Sequence, residues 1–203
     1  MKPWIGKSYY SKEHKRLLVI GESHYLPDGS TKSLNVEGWY QSEQCTLSND
    51  ELPYISTSRI IENNLHDNFK KKAHGIYRNF SKVINAVSYN YSPPSEVMNH
   101  LSFMNFFQRP AEVNGGRIRV SKQDIEVSKL VLEDVIRELT PNLVIFTSSK
   151  AGEYGARLVR ELDIPVVVTP HPTCQWWNRQ AKSYGGYGRE IIPKFLIKHD
   201  WYK

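Results

Sequence analysis

The chain of 203 residues lacks several features that would assign it to a common class. It has only two cysteines, Cys45 and Cys174, which are too few for a disulfide scaffold or a site of four thiolates. It contains no signal-peptide pattern and no apolar run of about 18 residues, the length needed to span a membrane. Internal repeats and low-complexity tracts are also missing. We therefore expect a cytoplasmic protein that is neither secreted nor bound to a membrane.

Positive charge and aromatic side chains are abundant by comparison. Lys and Arg number 27 against 21 Asp and Glu, for a formal net charge of +6 at pH 7. Such a charge favours an anionic partner, and nucleic acid is the commonest one. The chain also has twelve Tyr and five Trp. Aromatic rings in polar segments can stack on bases, although packing against loops is the more frequent reason for them.

Short apolar runs alternate with helical patterns along the chain. Residues 17–20, 101–107, 143–146 and 166–168 have the composition of buried strands. Apolar residues repeat at helical spacing in 58–71, 75–87, 122–139, 149–162 and 189–199, and Ser121 and Asp124 form a capping box before the third of these helices. Residues 26–56 have no clear period, which is typical of a functional loop or lid. We predict one domain over residues 1–203, an α/β fold in which a mainly parallel four-stranded sheet lies at the centre of a three-layer α/β/α sandwich.

Chemically capable side chains follow two of the predicted strands. Residues 21–25 read Gly-Glu-Ser-His-Tyr, directly after the strand at 17–20. Residues 169–173 read Thr-Pro-His-Pro-Thr, directly after the strand at 166–168. Ligands of open α/β sheets bind outside the carboxyl ends of the strands, so these two segments predict a shared cleft.

The order of these motifs resembles that of the uracil-DNA glycosylase superfamily. Residues 21–25 correspond to its first motif, which is Gly-Gln-Asp-Pro-Tyr or Gly-Glu-Ala-Pro-Gly in that superfamily. Residues 103–110, Phe-Met-Asn-Phe-Phe-Gln-Arg-Pro, are similar to the strand with Asn and the basic-Pro turn of its thermophile-type branch. Residues 133–152 follow its arrangement of helix, Thr-Pro, strand and Gly-containing turn, and His171-Pro172-Thr173 matches its His-Pro-Ser motif. The resemblance spans residues 17–179.

The resemblance implies a glycosylase that flips uracil or another deaminated or damaged base out of DNA and hydrolyses its N-glycosidic bond. It implies DNA, single- or double-stranded, as the partner of a monomer that needs no cofactor and no metal. The predicted catalytic residues are Glu22, His171 and Ser23. The predicted base- or substrate-binding residues are His24, Tyr25, Asn105 and Thr173. The predicted nucleic-acid contacts are Arg109, Arg117, Gln175, Trp176 and Arg179.

The chain also departs from the superfamily's pattern. Ser23 stands where the classical branch has its water-activating Asp, and the carboxylate of Glu22 comes one position earlier. His24 replaces a Pro, and the four cysteines that hold an iron–sulfur cluster in the thermophile-type branch are missing. Two other functions therefore stay open. One is a nucleic-acid-binding relative without excision activity, and the other is a hydrolase that uses Glu22, His24 and His171.

Each candidate residue also has a plainer interpretation. Glu22 could cap the segment that follows it, and His24 could hydrogen-bond within the turn. The amide of Asn105 could form structural hydrogen bonds inside the fold, because a buried amide needs partners. Trp176 could pack within its loop. For His171 the functional interpretation is favoured, because prolines on both sides make its turn rigid.

Overall fold

The computed structural model of the protein describes residues 1–41, 46–88, 91–113 and 116–202, so Cys45 lies outside the described residues. A five-stranded sheet forms the centre of the α/β fold. Its strands are β1 (Trp4–Ile5), β2 (Leu17–Gly21), β3 (Ser102–Asn105), β4 (Leu143–Phe146) and β5 (Val166–Val168). The short strands β6 (Gln180–Ala181) and β7 (Gly186–Tyr187) pair with each other in a separate antiparallel sheet.

The central sheet is mixed, with the strand order β1-β3-β2-β4-β5. Strands β3, β2, β4 and β5 run parallel, whereas β1 pairs antiparallel with β3 at one edge. The predicted α/β class is confirmed, but the prediction of four strands is wrong because β1 is a fifth. Strand β1 has only two residues, which are too few to show the alternation by which a strand is recognised in a sequence.

The longer helices lie between these strands and after β5. The α-helices of the described residues are α1 (Val36–Gln41), α2 (Leu52–Ile55), α3 (Thr57–Glu62), α4 (Gly75–Asn85), α5 (Lys122–Leu139), α6 (Ser149–Glu161), α7 (Gln175–Asn178) and α8 (Gly188–Lys198). The predicted capping box is confirmed at α5. The Ser121 hydroxyl accepts from the Asp124 backbone N–H at 3.0 Å, and the Asp124 carboxylate accepts from the Ser121 N–H at 2.9 Å.

Two apolar cores cover the two faces of the sheet. Leu17 and Val19 of β2 face one core, which contains side chains of α3, α4 and α8. Leu18 and Ile20 face the other core, which contains side chains of α5 and α6. The alternation follows from the two-residue period of a strand, because successive side chains point to opposite faces. All four residues are fully buried, which explains why β2 reads as a continuous apolar run.

Residues 26–56 are more regular than the predicted loop or lid. Their described part contains α1, α2 and a short 3-10 helix at Lys32–Leu34. Leu26, Trp39 and Leu47 form a small separate cluster, and the Trp39 indole N–H donates to the Gln108 carbonyl oxygen at 3.0 Å. The elements are too short for a helical period to stand out, and the cluster is held by long-range contacts.

Among the described residues, none of the helices combines the length and the apolar character that a membrane span requires. Cys174 is a free thiol and is partly buried.

Candidate active site

The carboxyl ends of four parallel strands bring most of the predicted catalytic and base-binding side chains to one edge of the sheet. Asn105 is the last residue of β3, and Glu22 follows β2 directly. Ser148 lies two residues after β4, and His171 lies three residues after β5. Because the strand order is β3-β2-β4-β5, these residues follow one another along the edge in the order Asn105, Glu22, Ser148, His171.

Gly21 gives the side chain of Asn105 its space. The two residues are paired in the parallel register of β2 and β3. A Cβ atom on Gly21 would lie 2.3 Å from the Asn105 Oδ1, so only glycine lets the amide lie across the end of β2. Asn105 is 8% exposed, and its side-chain amide makes no hydrogen bond to any described residue. Its donor and its acceptor are therefore both available to a ligand.

The carboxylate of Glu22 is held by a residue that the sequence did not single out. The Ser148 hydroxyl donates to Glu22 Oε2 at 2.5 Å and also accepts from the Ala151 backbone N–H at the start of α6. Such a short bond is typical of a hydroxyl that donates to a charged carboxylate. The N-terminus of α6 also favours the negative charge of Glu22. Glu22 Oε1 has no hydrogen-bond partner among the described residues. Ser148 is the N-cap of α6, a local role that a sequence can indicate but that does not predict a contact with Glu22.

His171 has one ring nitrogen engaged and one available. Its Nδ1 lies 3.2 Å from the Thr173 backbone nitrogen and 2.8 Å from the Thr173 hydroxyl. A backbone N–H can only donate, so Nδ1 accepts and the neutral ring carries its proton on Nε2. Nε2 makes no hydrogen bond to any described residue. Burial lowers the pKa of His171, and the opposing effect of the nearby Glu22 charge is smaller. At neutral pH His171 is thus a neutral donor through Nε2.

The remaining residues of the first motif differ in their surroundings. The Tyr25 hydroxyl donates to the Gly116 carbonyl oxygen at 2.9 Å, and burial together with the Glu22 charge raises the pKa of Tyr25. The ring of His24 is 5% exposed and its Nε2 lies 2.9 Å from Thr57 Oγ1. Burial lowers the pKa of His24 to about 4. Through its contact with Thr57, the first residue of α3, His24 connects the first motif to that helix. The half-buried Ser23 hydroxyl has no partner among the described residues.

Arg109, predicted as a contact to nucleic acid, lies in the interior. Its side chain is 0% exposed and forms two hydrogen bonds with the Asp124 carboxylate, at 3.0 and 2.9 Å. It also pairs with Glu112 at 2.8 Å and donates to the backbone oxygens of Ser33 and Arg119. All five N–H groups of Arg109 donate to atoms of the protein, so the prediction that Arg109 contacts DNA is wrong. The sequence could not show this, because the Asp124 partner is 15 residues away and also caps α5.

The other predicted nucleic-acid contacts are exposed. Arg117 lies in the segment after β3, and the other three lie in or directly after α7. Trp176 is 43% exposed, whereas its neighbour Trp177 is 3% exposed and belongs to the core. The Arg179 guanidinium lies 3.3 Å from Gln175 Oε1, an exposed contact that leaves the arginine open to solvent. The loop before α7 is held by Asn79, which donates to the Pro172 carbonyl oxygen at 2.8 Å.

Within the described ranges, no three His, Cys, Asp or Glu side chains lie close enough together to hold a metal ion. The chain matches no protein-family model and no curated protein. The resemblance to the uracil-DNA glycosylase superfamily therefore depends on the motif residues and their order alone.

Proposed function

We propose that the protein hydrolyses the N-glycosidic bond of uracil, or of another deaminated or damaged base, in DNA. The observation that carries this proposal is that Asn105, Glu22 and His171 follow the carboxyl ends of β3, β2 and β5 at one edge of the sheet. Each of them keeps a polar atom without a partner among the described residues. A flipped base is read by hydrogen bonds to its edge, and these three groups supply donors and acceptors for that purpose.

The three groups divide the chemistry between them. The glycosidic bond breaks with positive charge on the sugar and negative charge on the departing base. Glu22, oriented by Ser148, positions the attacking water with its second oxygen and stabilises the sugar cation. The neutral His171 donates from Nε2 to the base oxygen as charge develops there, in the manner of an oxyanion hole. The amide of Asn105 reads the base edge with one donor and one acceptor.

Exposed cations in the segments that follow β3 and β5 supply the contacts to phosphate. Arg117 and Arg179 are exposed, and the chain carries a net charge of +6. Contacts of this kind hold the strand without reading its sequence, so base choice falls to Asn105.

Binding of nucleic acid without excision is the second candidate. It is favoured by Ser23, because a serine cannot act as a base without assistance and the classical branch of the superfamily has Asp there. The two candidates share the same surface and differ only in whether Glu22 can replace that Asp.

Excision assays with matched glutamate variants test the proposal. The protein is incubated with oligonucleotides that contain uracil, hypoxanthine, xanthine or hydroxymethyluracil, and abasic sites are then cleaved with alkali. We expect Glu22→Gln to lower excision by at least 100-fold, because the carboxylate acts on the sugar cation. Binding of the same oligonucleotides, measured by fluorescence anisotropy, should change less than threefold, because Glu22 contacts no phosphate.

Glu126→Gln is the control, since Glu126 is an exposed glutamate on α5 and its replacement changes the net charge equally. Full excision by Glu22→Gln would contradict the assigned role. Binding by the wild type with every tested base left intact would favour the second candidate.

A further inference from the structure

A second feature of the molecule is a cavity of about 480 Å³ that the site described above does not use. Its volume is within the range of pockets that bind small ligands. It is lined by Met1, Lys2, Leu52, Ile55, Ser56, Thr57, Ser58 and Arg59. The side chains of these residues are two cations, three hydroxyls and three apolar groups, with no acid among them. An anionic ligand with an apolar part fits this chemistry.

The register of β1 locates the cavity at the same edge as the candidate active site. Trp4 pairs with Phe103 and Ile5 pairs with Ser102, in antiparallel direction. Continuing that register by two residues brings Lys2 beside Asn105, because β1 enters the sheet where β3 leaves it. Lys2 therefore places one wall of the cavity on the β1 side of β3, towards the end of the strand that carries Asn105.

The two cations of the cavity are available to a ligand. Lys2 and Arg59 are exposed, and neither forms an ion pair or a side-chain hydrogen bond with a described residue. Ser56 lies between Ile55 and Thr57 in the wall, and its hydroxyl likewise has no partner among the described residues. Two cations and a hydroxyl around one space can hold a phosphate group.

The cavity wall is connected to the first motif. Thr57 Oγ1 lies 2.9 Å from Nε2 of His24, two residues after Glu22 in the chain. His24 thus links the cavity wall to the segment that carries the Glu22 carboxylate.

We propose that this cavity is a nucleotide subsite, in which Lys2, Arg59 and Ser56 bind a phosphate and the walls of Leu52 and Ile55 pack against the attached nucleoside. The proposal rests on the proposed function, in which the occupant is the nucleotide next to the flipped base on the same strand. The same chemistry would accept a free nucleoside monophosphate, and the experiment below distinguishes the two sources.

The test is the salt dependence of DNA binding by the full chain. The probe is a fluorescein-labelled single strand with one uracil, and its dissociation constant is measured by anisotropy between 50 and 200 mM salt. A double variant, Lys2→Ser with Arg59→Gln, removes both cations. We expect it to reduce the slope of log K against log salt by about 0.7, because the two cations hold one phosphate and each phosphate contact on a single strand contributes about 0.7.

Lys129→Ser with Arg160→Gln is the matched control. It removes the same two charges from the exposed surfaces of α5 and α6 and should leave the slope within about 0.3 of the wild type. The exchange Lys2→Arg with Arg59→Lys should restore the wild-type slope, which excludes a folding defect as the cause. A slope for the first double variant equal to that of the control would overturn the subsite.

Two further arms identify the source of the phosphate. Replacing single phosphates beside the uracil by uncharged methylphosphonate should weaken binding by the wild type at one position and leave the first double variant unaffected there. That result assigns the subsite to the DNA strand. Displacement of the probe by free dAMP from the wild type, but not from the double variant, with no effect of methylphosphonate, assigns it to a free nucleotide. Every measurement here is of binding. The subsite can therefore be supported when the excision assay fails, and excision can be supported when the subsite is overturned.

Discussion

The burial of His24 predicts a specific loss of stability at acidic pH. The ring is 5% exposed and its Nε2 lies 2.9 Å from Thr57 Oγ1. Burial lowers its pKa from 6.5 in the unfolded chain to about 4 in the folded protein, and a hydrogen bond to the backbone of Tyr54 opposes this only in part. Between these two pH values the unfolded chain binds a proton that the folded protein does not bind. The free energy of unfolding therefore falls as the pH falls through this window.

The size of the effect follows from the pKa difference. A difference of about 2.5 between the unfolded and folded pKa values, at about 1.36 kcal/mol per pKa unit, corresponds to about 3 kcal/mol. This contribution is complete above pH 6.5 and is lost as the pH approaches 4. It is a large share of the 5–15 kcal/mol by which a typical domain is stable.

The assay is urea unfolding of the wild type and of His24→Gln at a series of pH values from 7.5 to 4. Other histidines with lowered pKa values titrate in the same range, so the informative quantity is the difference in unfolding free energy between the two proteins. We expect the advantage of the wild type to shrink by up to about 3 kcal/mol from the highest to the lowest pH. His66→Gln, at an exposed histidine, is the matched control.

A difference between the wild type and His24→Gln that does not change with pH would contradict the burial of an unprotonated His24 ring. It would mean that the His24 ring is protonated equally in the folded and unfolded states, as expected of a ring that faces a solvated pocket. His24 would then belong with the base-binding residues that the first motif predicts and not with the interior.

Two other substitutions test contacts at and near the site. Gly21→Ala would place a Cβ atom 2.3 Å from Asn105 Oδ1; we expect a loss of about 1–3 kcal/mol from overpacking and at least tenfold lower excision, with little further loss when Asn105→Ala is added. Arg109→Met would leave the Asp124 carboxylate buried without its partner; we expect urea unfolding to show a loss of about 3–5 kcal/mol, whereas Arg119→Met, at an exposed arginine, should cost less than about 0.5 kcal/mol.

The sequence predicted the regular elements well where local signals were strong. Strand β4 and strand β5 have the predicted bounds, and α5, α6 and α8 differ from prediction by one residue at most at each end. Each of them has an unbroken apolar run or a helical period, and α5 and α6 also begin at a serine N-cap. Residues 26–56 lack such signals, and their short helices form because Trp39 and its neighbours pack together in the folded chain.

The sequence also predicted that Glu22 and His171 follow strands and would meet at one edge. Parallel strands present their carboxyl ends together, so the rule needs only the element order. Their partners could not be predicted. Ser148 lies 126 residues from Glu22, and nothing in the local pattern connects the two. The tautomer of His171, which carries its proton on Nε2, could be assigned only from the position of the Thr173 backbone N–H beside Nδ1.

Local sequence by itself determined the strands, the long helices, the capping box of α5 and the placement of polar side chains after apolar runs, because each depends on residues within a few positions of one another. Tertiary structure alone decided that Arg109 is buried, that Ser148 holds Glu22, that His24 joins α3 and that β1 extends the sheet. These contacts join residues from about 15 to more than 120 positions apart. Whether a charged or polar side chain meets solvent, a partner or a ligand depends on which distant segment folds against it, and no local pattern of residues specifies that.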